Sequence, residues 1–126
     1  NVVVCLAYVP HETDALIDAE SVSAIGPHGV LINPARAELI APEVLLNALT
    51  SEKLGSAAID GYYIEPTPKN GTDPYGLLSL PPEKLLVTPH CAYLGSHAVE
   101  QMSSMAAENL IAISKGEPAP CPIKSS

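Results

Sequence analysis

Residues 2–7 read Val-Val-Val-Cys-Leu-Ala, an unbroken apolar run that opens on three β-branched side chains. A strand without polar alternation is covered on both faces, the environment of a parallel sheet packed between helices. The run is far shorter than the ~20 apolar residues that span a bilayer. No basic segment leads into a cleavage-like site, so no membrane partner is expected.

The punctuation downstream agrees with such a sheet. After a polar connection at residues 10–13, residues 18–24 read as a helix that stops at Gly26-Pro27. Residues 29–33, Gly-Val-Leu-Ile-Asn, predict a second buried strand. Pro42 beside Glu43 starts a helix, and Val44, Leu45, Ala48 and Leu49 recur at helical spacing as far as Gly55. Residues 56–60 predict a third strand, rich in small side chains where a neighbour approaches closely. Residues 64–82 carry five prolines and two glycines and predict a surface crossing without regular structure. A crossing of that length is a functional loop more often than an idle one. Residues 84–88 predict a fourth strand, stopped by Pro89. From Ser96 a last helix sets Val99, Met102, Ala106, Leu110 and Ile113 on one stripe up to Lys115-Gly116, and Met102 and Met105 read as core packing. Strand and helix alternating in this way predict an α/β fold, a doubly wound parallel sheet with flanking helices over residues 1–115, followed by a tail at 116–126.

Composition narrows the partners. A chain of 126 residues, 47% hydrophobic and 16% charged, has material for one core and not two. Fourteen acidic against six basic side chains give a net charge of -8, the wrong sign for phosphate backbones, so no nucleic acid is expected. Cys5, Cys91 and Cys121 are odd in number and lack CxxC spacing, which argues against a disulfide framework and for a reducing, cytoplasmic setting. His11, His28 and His97 have neither an i,i+4 partner nor a nearby cysteine, so they read as residues of solvated turns and no metal is expected.

In open α/β sheets ligands gather at the carboxyl ends of the strands, where Arg36, Asp60 and His90 would sit. The guanidinium of Arg36 has five donors in a fork suited to a carboxylate, although the residue is equally read as a surface arginine capping a helix. Glu65 follows the third strand and His90 the fourth. A carboxylate beside an imidazole favours its charged form and selects the nitrogen that faces a substrate, which makes an acid catalyst. Asp60 is read either as a ligand contact or as a strand-end aspartate capping its loop. Cys91 follows His90 directly, and neighbours on an extended backbone point to opposite faces, so the two do not form a nucleophilic pair.

Asn33-Pro34-Ala35-Arg36, then Asp60 with Glu65-Pro66, then Thr88-Pro89-His90 stand in the order of the signatures of the D-isomer-specific 2-hydroxyacid dehydrogenase family. The chain resembles that family from Asn1 to about Pro122, with Glu12-Thr13, Leu16-Ile17-Asp18 and Ala106-Ala107-Glu108-Asn109-Leu110 also in its style. The resemblance implies the C-terminal half of a Rossmann-type cofactor domain, and hydride transfer between NAD or NADP and a small 2-oxo or 2-hydroxy acid. It implies that Arg36 holds the substrate carboxylate and polarises the oxo group, that His90 donates or accepts the proton, and that Glu65 orients and charges His90. Asp60 would contact the nicotinamide carboxamide, and the backbone at Ala35 and Arg36 would line the cofactor, as would His90.

Departures from the family pattern fall at Leu6 and Tyr8, at Ala37-Glu38, at Gly61-Tyr62-Tyr63 and at Cys91-Ala92-Tyr93. A GxGxxG turn, which cradles a pyrophosphate at a helix N-terminus, does not occur in the chain. The expectation is therefore part of a larger polypeptide whose N-terminal part completes the site, inactive alone and pairing as a homodimer. In the family strand order residues 2–7 would lie beside the first strand of that other half, and would otherwise be an open edge. Two alternatives stand beside it: a corepressor-like or degenerate nucleotide-binding interaction module, and a free-standing α/β domain with another ligand.

Overall fold

The computed structural model of the chain describes residues 1–7, 15–69 and 71–122. They form two compact units, Asn1–Ala92 and Tyr93–Ser126. The first holds four strands, β1 (Val2–Val4), β2 (Gly26–Asn33), β3 (Leu54–Asp60) and β4 (Leu85–Thr88), in the spatial order β1-β2-β3-β4 and all parallel. Parallel neighbours need crossover connections. Helix α1 (Ala19–Ile25) makes the crossover from β1 to β2, α2 (Pro42–Thr50) that from β2 to β3, and a long loop that from β3 to β4. This is the α/β sheet expected from the sequence.

Local chemistry sets the element ends. The side chain of Asp18 accepts the Ser21 amide at 2.8 Å and starts α1. Gly26, with φ +95°, turns the chain from α1 directly into β2, which therefore begins three residues earlier than the apolar run suggests. Pro42 opens α2 as expected, but the helix stops at Thr50, and the Ser51 amide closes it on the Asn47 carbonyl at 2.9 Å. Residues 54 and 55 belong to β3 instead, because Leu54 is fully buried in the core. The close approach of neighbours falls at Gly55, where a Cβ would stand 2.8 Å from the Gly29 carbonyl oxygen. The loop after β3 is not wholly irregular: it carries a 3-10 turn at Leu77–Ser79, and Leu77 fills the core.

The core lies on one face of the sheet. Leu31, Ala57 and Leu85 are lateral neighbours in the strand register and pack with Val22, Ile40, Leu45 and Leu49. The next row, Val4, Ile32, Ala58 and Leu86, faces the other way, and Val4 and Leu86 are exposed. The first strand is not covered on both faces: among the described residues it pairs with β2 alone, and Val2, Val3 and Val4 are all exposed, the open edge that the sequence reading expects without the other half of the domain. An edge strand with helices against one face keeps its outer backbone edge and half its side chains open.

The second unit contains helix α3 (Ser96–Ser114) and the segment that follows it. Its start and end are as expected, but its apolar stripe is not buried within the unit: Val99, Met102, Met105, Leu110 and Ile113 are all exposed. The reading of Met102 and Met105 as core is thereby corrected. Among the described residues of its own unit, α3 packs against the short returning tail. Ala112 is buried where Glu117 turns back to donate to its carbonyl at 2.9 Å, and Cys121 donates to Asn109 Oδ1 at 2.9 Å.

Candidate active site

The carboxyl ends of β2, β3 and β4 deliver Arg36, Asp60 and His90 to one rim, as the strand-end argument expects. At the end of β2, Asn33 is buried to 1% exposure. Its side-chain amide donates to the Arg36 carbonyl at 2.7 Å, and its Oδ1 accepts the Ala35 amide at 3.1 Å. These two bonds fold residues 33–36 into a tight turn. Beyond it Ala37 and Leu39 are buried in a 3-10 turn, which leaves the Arg36 guanidinium at the rim. Nη1 of Arg36 donates to its neighbour's carbonyl at Ala35, 3.0 Å away, and stands 3.2 Å from Nε2 of His90.

Asp60 ends β3 with a buried carboxylate that accepts the Thr88 hydroxyl, the Cys91 amide at 2.9 Å and the Ala92 amide at 2.8 Å. Burial alone would raise its pKa. The bonds from Thr88, Ala92 and Cys91, with His90 nearby, outweigh burial and hold the carboxyl below its ordinary value. The side chain thus staples the end of β3 to the segment after β4. That segment needs holding, because His90 has φ +55°, a left-handed conformation uncommon for a residue with a side chain.

Glu65 reaches the rim from the loop after β3, and its Oε1 lies 2.8 Å from Nδ1 of His90. The loop is pinned by Asp73, whose carboxylate accepts the Tyr62 hydroxyl at 2.8 Å and the amides of Tyr75 and Leu78 at 3.1 and 2.9 Å. Tyr62, Tyr63 and Tyr75 pack edge-on or tilted with centroids 5.4–6.4 Å apart. Burial pushes the Tyr62 and Tyr63 hydroxyls well above their ordinary pKa, and the neighbouring carboxylates of Asp73 and Glu38 add to the effect. Both are neutral donors, and Tyr63 donates to the Ile40 carbonyl at 2.8 Å.

Arg36, Asp60, Glu65 and His90 share a cavity of about 310 Å³ with Ala35 and Gly61, so all five expected site residues are in one place. A second cavity of about 430 Å³ beside Thr67, Asp73 and Ser79 brings together no such set of acid, base and cation. His28 and His97 lie outside both cavities, while His11 and Tyr8 lie outside the described residues. The positioning roles of Asn33 and Thr88 are not read from the sequence. An Asn ahead of a turn is a detectable Asx signal, whereas the Thr88 bond depends on the β3–β4 register that sets it opposite Asp60.

The arrangement can move a proton beside an anion. Nη1 of Arg36 only donates, so Nε2 of His90 accepts, and Nδ1 carries the hydrogen that bonds Glu65. When the ring takes a second proton at Nε2, two N–H donors about 3.2 Å apart turn to a common acceptor. The cavity volume lies at the small end of the ~300–1,000 Å³ typical of ligand sites. The chain supplies no glycine-rich turn of the kind that holds the pyrophosphate of a dinucleotide.

Comparison with known proteins follows the same outline. The sequence model described as D-isomer specific 2-hydroxyacid dehydrogenase, NAD binding domain, matches residues 1–92, the extent of the first compact unit. Glyoxylate reductase of Thermofilum pendens is 34% identical over 109 residues, covering 86% of this chain and 30% of that protein. D-lactate dehydrogenase of Treponema pallidum is 32% identical over 117 residues, covering 86% and 35%. The crystal structure of a D-isomer specific 2-hydroxyacid dehydrogenase from Xanthobacter autotrophicus Py2, in complex with NADPH and MES, superposes with a TM-score of 0.77 at 28% identity, covering 98% of this chain and 48% of that one. The chain spans about a third of the length of the curated relatives it matches.

Proposed function

The chain belongs to the D-isomer specific 2-hydroxyacid dehydrogenase family through its NAD-binding domain, and from that premise we propose that it carries the acid–base half of a hydride-transfer site for a small 2-oxo or 2-hydroxy acid. The observation that carries the reading is His90 held between Glu65 at 2.8 Å and Arg36 at 3.2 Å, through its two different ring nitrogens. When bound, the nicotinamide of NAD or NADP supplies or accepts the hydride. Arg36 grips the substrate carboxylate and turns positive charge toward the oxo oxygen. His90 holds a proton at Nε2 and passes it to that oxygen as negative charge develops there. Glu65, bonded to Nδ1–H, orients the ring and fixes which nitrogen faces the substrate. Asp60 keeps the backbone after His90 in place, and its outer edge faces the same cavity, where the carboxamide of the cofactor would lie.

The complete polypeptide supplies the phosphate-binding turn and the substrate domain in this reading, so residues 1–126 alone do not turn over substrate. The exposed apolar edge of β1 and the exposed stripe of α3 supply surface for that remainder and for a second subunit of a homodimer. The test is oxidation of NADH or NADPH by the complete polypeptide with glyoxylate, pyruvate and hydroxypyruvate. His90→Gln is expected to lower kcat by about 10²–10⁴, the usual share of a positioned proton donor, while dinucleotide binding persists. Turnover undiminished in His90→Gln, or absent in the unaltered protein for all three acids, would overturn the assignment and leave a nucleotide-binding interaction module as the better reading.

A further inference from the structure

Resting on the reading of the cavity as an oxo-acid site, we propose that Glu38 is a specificity-determining residue that turns away oxo acids with a second anionic group, so that the site takes monoanionic 2-oxo acids. Among the described residues the cavity wall holds one permanent cation, the Arg36 guanidinium, against the carboxylates of Glu38, Asp60 and Glu65. Arg36 is the single arginine of the chain, and none of Lys53, Lys69, Lys84 and Lys115 lines the cavity. A substrate carboxylate takes that one cation. A second carboxylate or a phosphate on the same molecule then meets carboxylates and no further permanent cation on this side of the site.

The three carboxylates differ in what they already hold. Asp60 accepts the Thr88 hydroxyl and the amides of Cys91 and Ala92, and Glu65 Oε1 is bonded to Nδ1 of His90. Glu38 has no hydrogen bond or ion pair among the described residues. Its placement follows from the turn that carries it. Ala37 and Leu39 on either side are 4% and 1% exposed, so the residue between them is turned outward, two positions beyond Arg36. Tyr63 lines the same cavity. Burial raises the pKa of its hydroxyl and the Glu38 carboxylate raises it further, which marks the two as neighbours. That hydroxyl is given to the Ile40 carbonyl at 2.8 Å and not to Glu38. An unneutralised carboxylate therefore stands on the cavity rim near the guanidinium that would hold the substrate.

Such a group acts by discrimination and not by affinity. Coulomb repulsion grows with the charge of the ligand, so Glu38 disfavours a dianion more than a monoanion of the same size. Because Glu38 is exposed, salt screens the difference. Charge and size are separated by oxaloacetate and its monoamide, 2-oxosuccinamate, which match in shape and differ by one negative charge.

The experiment measures kcat/KM for these two acids in the complete polypeptide and in its Glu38→Gln and Glu38→Lys variants, with reduced nicotinamide cofactor. The unaltered protein is expected to favour 2-oxosuccinamate by about tenfold or more, Glu38→Gln to narrow that ratio by about threefold to tenfold, and Glu38→Lys to narrow it further. Salt at about 0.5 M should narrow the ratio more in the unaltered protein than in Glu38→Gln. Oxaloacetate used as well as its amide by the unaltered protein, or a ratio that Glu38→Gln leaves unchanged, overturns the proposal. If the unaltered protein reduces neither acid, nor pyruvate nor glyoxylate, calorimetry in the presence of cofactor compares oxamate, a monoanion, with tartronate, a dianion. Weaker binding of tartronate that Glu38→Gln relieves then counts against the parent reading and leaves this one standing. Equal binding of the two, a gap that Glu38→Gln does not change, or binding of neither removes this one as well.

Discussion

The carboxylate of Asp60 accepts the backbone amide of Ala92 at 2.8 Å and so ties the end of β3 to a segment 32 residues further along the chain. The same carboxylate takes the Cys91 amide, and between them these bonds sustain the left-handed backbone of His90, a conformation that costs about 1–3 kcal/mol where a side chain is present. Asp60→Ala leaves two amides without their acceptor. Urea unfolding of the complete polypeptide is expected to show a loss of about 1–3 kcal/mol, part of it recovered in Asp60→Asn, which keeps one acceptor oxygen. Coincident unfolding curves for Asp60→Ala and the unaltered protein would remove the staple.

Acid should weaken the fold through the same chemistry. For both Asp60 and Asp73 burial raises the carboxyl pKa, but hydrogen bonds outweigh it, from Thr88 and two amides at Asp60 and from the Leu78 amide and the Tyr62 hydroxyl at Asp73. Both values end below the ordinary one, so the unfolded chain binds protons more readily than the folded one. The stabilisation is fully present above the ordinary aspartate pKa of about 3.9 and is lost as pH falls through the lower folded values. Thermal unfolding followed against pH should show this acid limb, and Asp73→Asn should flatten it. An equal acid limb in both proteins would contradict the assignment.

Asn33 is expected to affect substrate binding without touching substrate. Asn33→Ala removes the donor to the Arg36 carbonyl and the acceptor for the Ala35 amide, and the turn that aims Arg36 loosens. A fall in stability of about 1–3 kcal/mol and a rise in KM for the oxo acid larger than the fall in kcat are the expected results. A KM unchanged in a folded Asn33→Ala variant would separate the turn from the guanidinium.

Two tyrosine hydroxyls offer a graded comparison. Tyr62 donates to the carboxylate of Asp73, and Tyr63 to the neutral carbonyl of Ile40. Hydrogen bonds to charged groups contribute about 1.5–3 kcal/mol and neutral ones about 0.5–1.5 kcal/mol, so Tyr62→Phe should cost more than Tyr63→Phe. Chemical denaturation of the two variants side by side checks the order, and the reverse order would place the loop anchor elsewhere.

Much of this molecule is legible in its residues because the signals are local. Apolar runs predict β2, β3 and β4 to within a few residues, Pro42 marks the start of α2, and the α3 span follows from its spacing and from Lys115-Gly116. What stays illegible is what covers an element. The β1 run marks a strand that seeks cover and stands at an open edge, and the α3 stripe reads as core and is exposed within its unit. Hydrophobicity says that a surface seeks cover; it does not say what provides it.

The identity and order of Arg36, Glu65 and His90, each placed just beyond a strand, were determined by the sequence alone, as was the α/β alternation that carries them. Their meeting was decided only by the tertiary structure. Glu65 and His90 are 25 residues apart and Arg36 and His90 are 54 apart, and it is the parallel register of β2, β3 and β4 that brings their ends level. The staple of Asp60 belongs to the same class, because it depends on where distant backbone amides come to lie. No neighbour in the chain encodes such a position.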